Sequence, residues 1–89
     1  MIFGGEYQIG DIGAHSISET LQSNSTLLKL HLFGNNIGDD GAISIFEALR
    51  TNSTLTSIDL ECNKIGDMSS MAIVETLKTN STLTLLDLS

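Results

Sequence analysis

The feature that most constrains this chain is an internal repeat of 28 residues. The tripeptide Asn-Ser-Thr begins at Asn24, Asn52 and Asn80, and residues 27–54 align with residues 55–82 at 13 identical positions. Chance at ordinary residue frequencies gives about two identities in such an alignment. A unit of this length buries its apolar face only by stacking on its neighbours. The chain is therefore predicted to fold as an array of stacked units.

We interpret all 89 residues as one array without a linker or second domain. It comprises a degenerate first repeat, two full repeats and a partial repeat, over residues 1–26, 27–54, 55–82 and 83–89. The first repeat is degenerate because Tyr7 stands at the position of Asn35 and Gly4 at that of a strand leucine. A short stack with bare apolar ends is marginally stable and prone to associate. We therefore expect the chain to be a piece of a longer array.

The first half of each unit has the pattern of a strand. Leu30 and Leu32 alternate with Lys29 and His31, and a period of two is typical of a strand with one buried face. The same alternation recurs in the following units. One strand per stacked unit predicts a parallel sheet.

The second half of each unit has the pattern of a helix. Ala42, Ile45 and Leu49 follow a helical spacing and are predicted to face the core. Asp39 is expected to cap the start of its own helix, and Asn52 to end it in the left-handed conformation. Helices are wider than strands, so the stack should curve. The expected fold is an α/β right-handed solenoid, a horseshoe segment with the sheet concave and the helices convex.

The repeats resemble leucine-rich repeats of the ribonuclease-inhibitor-like class. The frame L-x-x-L-x-L-x-x-N-x-I-G is matched by Leu27, Leu30, Leu32, Asn35, Ile37 and Gly38, and again by Leu55, Ile58, Leu60, Asn63, Ile65 and Gly66. They are also similar to repeats of NACHT-type receptors and of the activator of the Ran GTPase. The resemblance implies a curved, non-enzymatic scaffold that binds proteins through its concave face.

Side chains on the exposed face of the sheet are the candidate binding residues. Neighbouring strands lie about 4.8 Å apart, so residues spaced by one repeat form columns. Two such columns are Phe3, His31, Asp59 and Asp87, and Gly5, Phe33, Glu61 and Ser89. The predicted partner-binding residues are Lys29, His31, Phe33, Ser57, Asp59, Glu61, Leu85 and Asp87. Their acidic character predicts a protein partner with a basic patch.

Two asparagines are expected to be structural. Asn35 and Asn63 end their strands, and each side chain should turn inward to satisfy backbone groups that the bend exposes. Cys62 lies in the same turn, at the position of Gly34, where we expect a small residue to pack.

Charge and cysteine content exclude several functions. A net charge of −7 disfavours nucleic acid and anionic membranes as partners. The single Cys62 cannot form an internal disulfide, and no signal peptide is evident, so a cytoplasmic location is expected. His31 beside Asp59 suggests metal or acid–base chemistry only weakly, because no second histidine joins them. We expect no enzyme activity, no metal and no cofactor.

Three other roles stay open at this point. The chain could be part of a GTPase-activating protein like the Ran activator, which acts by ordering its GTPase. It could instead be a spacer that lengthens an array without making contacts. Its uncapped ends also predict self-association.

Overall fold

The structure is a computed structural model that describes residues 1–3 and 8–88. Its elements in chain order are α1 (Gly10–Ser23), β1 (Lys29–His31), α2 (Asp39–Leu49), β2 (Ser57–Asp59), a 3₁₀ turn (Asp67–Ser69), α3 (Ser70–Thr79) and β3 (Leu85–Asp87). The predicted alternation of strands and helices is confirmed, and the fold is α/β. The predictions for Gly4, Gly5, Tyr7 and Ser89 concern positions outside the described residues.

The three strands form one parallel sheet in the order β1-β2-β3. Leu30 pairs with Ile58, and Ile58 pairs with Leu86. The register of the sheet therefore equals the sequence repeat of 28 residues. Equivalent side chains of successive units therefore lie side by side and form the columns that the sequence predicted.

The chain start departs from this register by one residue. The sequence predicted that Phe3 would lie beside His31, but Ile2 pairs with His31 instead. A shift of one residue exchanges the two faces of a strand. Phe3 consequently packs against the core, while Ile2 is 76% exposed. The repeat register would have placed Gly4 in the slot that Leu32 fills, and burying a phenylalanine there is more favourable.

The core lies between the sheet and the helices. The predicted helix face is confirmed, since Ala42, Ile45 and Leu49 are fully buried. The other side chains with no exposed surface in this core are Ala14, Leu21, Leu30, Leu32, Ile37, Phe46, Leu55, Ile58 and Leu60. No helix in the described ranges has the length and apolar character to cross a lipid bilayer.

The aspartates stabilise the next helix along the stack rather than their own. Asp11 lies inside α1, and its Oδ1 accepts hydrogen bonds from the backbone N–H groups of Gly38 (2.7 Å) and Gly41 (3.1 Å) at the start of α2. The N-cap of α2 is Gly38, with no side-chain cap. The prediction that Asp39 caps its own helix is therefore wrong, because its carboxylate is directed toward the following unit.

The third helix starts differently from the second. Asp39 Oδ1 accepts from the Gly66 N–H (2.8 Å) and the Ser69 hydroxyl (2.6 Å), and these bonds, led by that of Ser69, lower the pKa of Asp39. Ser69 stands at the position of Gly41, where a Cβ atom would come within 2.8 Å of Ala14 Cβ. A 3₁₀ turn therefore opens α3.

Two asparagine ladders join the units. Asn63 Oδ1 accepts from the N–H groups of Asn35 and Ile37, both at 2.9 Å, and its Nδ2 donates to Leu32 O at 2.8 Å. The inward-turned role predicted for Asn35 and Asn63 is confirmed.

The second ladder lies where the helices end. Asn52 Nδ2 donates to Leu21 O (2.9 Å) and Asn24 O (3.2 Å) of the preceding unit. Asn80 repeats the arrangement one unit later, with extended backbone (φ −87°). The left-handed conformation predicted for Asn52 is wrong, since its φ is not positive. Helix-end asparagines act here through their side chains.

Candidate protein-interaction surface

The sheet register brings the predicted binding residues into two columns. One column is Lys29, Ser57 and Leu85, and the other is His31, Asp59 and Asp87. Phe33 and Glu61 follow the ends of β1 and β2, where the Gly34 N–H donates to Glu61 O at 2.9 Å. We call the exposed face formed by these residues the strand face.

Ser57 is the exception among the eight predicted residues. It is only 7% exposed, so the prediction that its side chain is exposed on this face of the sheet is wrong. β2 is the central strand, and Lys29 and Leu85 flank Ser57 with longer side chains. A hydroxymethyl group between such neighbours is shielded from solvent.

Apolar side chains remain accessible on the strand face. Phe33 is 50% exposed and Leu85 is 59% exposed, at two separate places on this face. Ile2, beside His31, adds an exposed side chain that the sequence did not predict. The register shift at residues 1–3 places Ile2 on this face. The sequence feature that pointed to such a shift is Gly4, which stands where the repeat has a strand leucine.

Three carboxylates converge at the ends of β2 and β3. One oxygen of each of Asp59, Glu61 and Asp87 lies within 4.8 Å of the others. The pKa of Glu61 is raised above its usual value because its carboxyl shares a hydrogen bond with that of Asp87, and because the charges of Asp87 and Asp59 lie nearby. We call these residues the carboxylate cluster. Such a cluster attracts a cationic group.

The columns predicted from the 28-residue spacing did not indicate the hydrogen bond between Glu61 and Asp87. Column spacing aligns Glu61 with Ser89 and Asp59 with Asp87. Long side chains also reach diagonal neighbours on the next strand. A diagonal comparison of the sequence units would have found this contact.

Other notable polar residues lie away from the strand face or in its turns. Cys62 is exposed with φ +57°, matching φ +65° at Gly34, so the position requires a left-handed backbone rather than the packing predicted. On the helical side, His15 Nδ1 and Ser44 Oγ lie 3.1 Å apart. Together with Asp40 they line a groove of about 270 Å³ between α1 and α2.

The chain is similar to known proteins in sequence and in fold. The family described as "Leucine Rich repeat" matches residues 23–46 and 51–73. Among solved structures, the chain is similar to "Leiomodin-1 Actin-Binding Site 2 (ABS2)", at 33% identity and a TM-score of 0.79. The match covers 90% of this chain and 47% of that one, so the chain spans about half the length of the leiomodin structure. No curated protein matches the chain.

Proposed function

Because the chain belongs to the leucine-rich repeat proteins, we propose that it is a non-enzymatic module that binds another protein through the strand face. The observation that carries the proposal is the carboxylate cluster, three carboxylates within 4.8 Å on a face that also exposes Phe33 and Leu85. In this proposal the array is a horseshoe segment of the ribonuclease-inhibitor-like class, with the strand face concave. The protein acts in the cytoplasm.

The chemistry of the strand face supports a proposal for the partner. The carboxylate cluster suits a lysine or arginine side chain, whose positive charge would offset the negative charges of the three carboxyl groups. Phe33 and Leu85 offer apolar contacts beside it. The proposed partner therefore carries a basic patch with adjacent apolar side chains.

Actin is the first partner to test. The similarity to a structure named as a leiomodin-1 actin-binding site motivates this choice. We expect the fluorescently labelled chain to bind monomeric actin, measured by anisotropy. The double variant Asp59→Lys/Glu61→Lys should weaken binding at least about tenfold, as loss of a close charge pair does.

A matched control separates the strand face from net charge. Glu19→Lys/Glu47→Lys makes the same charge change on exposed positions of the helices. It should leave actin affinity unchanged. Equal weakening by both double variants would overturn the strand face as the binding surface, because net charge alone would then explain the effect.

Further measurements on the wild-type chain separate the remaining roles. If the wild-type chain does not bind actin, a GTP-turnover assay with Ran tests the activator-like alternative. A chain that neither binds actin nor changes Ran turnover fits a spacer segment, and in that case alanine substitutions on the strand face change nothing but stability.

A further inference from the structure

The two ends of the stack expose faces that are complementary. The tail face, beyond α3 and β3, exposes Val74, Leu77 and Leu88 and leaves Leu83 and Leu86 half-buried. The head face is the side of α1 that corresponds, by the repeat, to the side of α3 that packs on α2, and it includes Ser16, Thr20 and Asn24. Each face can be compared with the corresponding buried contact inside the stack.

The tail face has the positions that a following helix covers. Val74 and Leu77 correspond to Phe46 and Leu49 of the preceding unit. Phe46 and Leu49 are fully buried where α3 packs on α2, whereas Val74 and Leu77 are 47% and 52% exposed. The tail face is thus the uncovered equivalent of an interface that the structure already contains.

The head face retains residues that make that interface. Thr20 corresponds to Thr76, which is fully buried and donates its hydroxyl to Phe46 O at 2.7 Å. Thr20 itself is exposed. In a stack continued by a second copy, the hydroxyl of Thr20 would meet Val74 O, the equivalent of Phe46 O.

Hydrogen-bonding groups match across the same two faces. Asn52 and Asn80 each donate twice through Nδ2 to the preceding unit. Within residues 1–3 and 8–88, the Nδ2 of Asn24 has no acceptor, and the equivalent acceptors, Leu77 O and Asn80 O, have no donor. The unused donor of one face has its acceptors on the other.

The strands are complementary as well. β3 lies in the repeat register. α1 is preceded by residues 1–3, which pair out of register through a single bridge at Ile2. In-register β3 of one copy would therefore complete the unit of α1 in another.

We propose that copies of this chain associate head to tail. α1 of one copy packs on α3 of the next, and β3 takes the place beside β1 that residues 1–3 occupy in the isolated chain. The contact is heterologous, because different faces of the two copies meet, so each added copy exposes a new tail face. The charge of −7 on each copy opposes association, and salt should strengthen it.

Two single variants test this arrangement by light scattering after size exclusion. Leu77→Glu blocks the tail face and Thr20→Glu blocks the head face, both at positions exposed in the isolated chain. We expect wild-type mass to rise with concentration, and each variant alone to stay at 9.5 kDa. Mixed together they should form only a 1:1 pair of twice 9.5 kDa, through the intact tail of one and the intact head of the other.

A control and the contrary results complete the test. Ile12→Glu replaces a residue that is 87% exposed and whose equivalent, Asp40, stays exposed inside the stack, so it should associate like wild type. Circular dichroism verifies that each variant is folded. A wild-type chain that remains monomeric at 9.5 kDa overturns the proposal. So does a Thr20→Glu variant that still self-associates, because that result indicates a symmetric tail-to-tail dimer.

Discussion

At the scale of single residues, asparagine side chains connect one unit to the next. Asn52 is 6% exposed, accepts from two backbone N–H groups of its own loop and donates to two carbonyls of the preceding unit. Its amide therefore needs both the oxygen and the nitrogen. Asn24 uses its oxygen in the same way, but its nitrogen has no acceptor among the described residues.

This difference predicts unequal effects of the same substitution. Asn52→Asp turns two donated hydrogen bonds into contacts between a carboxylate and two carbonyl oxygens, and we expect it to cost at least about 2 kcal/mol. Asn24→Asp keeps its accepting oxygen and should change the free energy of unfolding by less than about 0.5 kcal/mol. Urea denaturation of both variants, at a concentration low enough to keep the chain monomeric, measures the difference. Equal losses would show that the inter-unit bonds of Asn52 contribute nothing.

Glu61 makes stability depend on pH. Its raised pKa means that the folded chain holds the proton more tightly than the unfolded chain, whose glutamate titrates near 4.5. Its stabilising contribution is therefore present below pH 4.5 and is lost as the pH rises through the raised value. We expect Glu61→Gln to raise the melting temperature at pH 7. Between pH 4.5 and the raised pKa of Glu61, the melting temperature of this variant should fall less than that of wild type. Glu47→Gln, on α2, serves as the control; an identical profile for the two variants would contradict the coupling to Asp87.

At the scale of elements, the starts of α2 and α3 depend on the helix before each of them. A Cβ atom at Gly41 would lie 2.7 Å from Asp11 Oδ1 and 2.8 Å from Ala14 Cβ. Alanine favours helix over glycine by about 1 kcal/mol, but crowding at a packed contact typically costs about 1–3 kcal/mol. The close approach of α1 and α2 should therefore outweigh the intrinsic preference.

Gly41→Ala should accordingly lower the free energy of unfolding by about 1 kcal/mol, and by no more than about 2 kcal/mol. Gly38→Ala is the matched control, because its Cβ would meet only the flexible end of Asp11, 3.3 Å away. Thermal melts compare the two. A Gly41→Ala variant as stable as wild type would indicate that α2 can open with a 3₁₀ turn, as α3 does, without loss.

At the scale of the whole molecule, stability is distributed unevenly along the stack. Leu49 and Leu77 occupy the same position of successive repeats, yet Leu49 is fully buried and Leu77 is 52% exposed. We expect Leu49→Ala to cost about 2–5 kcal/mol and Leu77→Ala less than about 1 kcal/mol. Urea unfolding at a concentration low enough to keep the chain monomeric provides the comparison. Similar costs would mean that α3 is covered in solution.

Much of the architecture followed from the repeat. Period-two leucines predicted the strands, the spacing of Ala42, Ile45 and Leu49 predicted the buried helix face, and the 28-residue interval equals the sheet register. These features are local or periodic, so the order of residues along the chain is enough to predict them. Most of the strand face was predicted for the same reason, because residues spaced by one repeat must lie side by side.

Only the tertiary structure decided the features that depend on which unit touches which. It shifted residues 1–3 so that Phe3 packs against the core, covered Ser57 between longer neighbours, and directed Asp39 toward the next helix. It also joined Glu61 to Asp87 across a diagonal. The repeat determines that equivalent residues align. Competition for buried volume and hydrogen-bond partners between units determines what each of them does, and that competition exists only once the units are stacked.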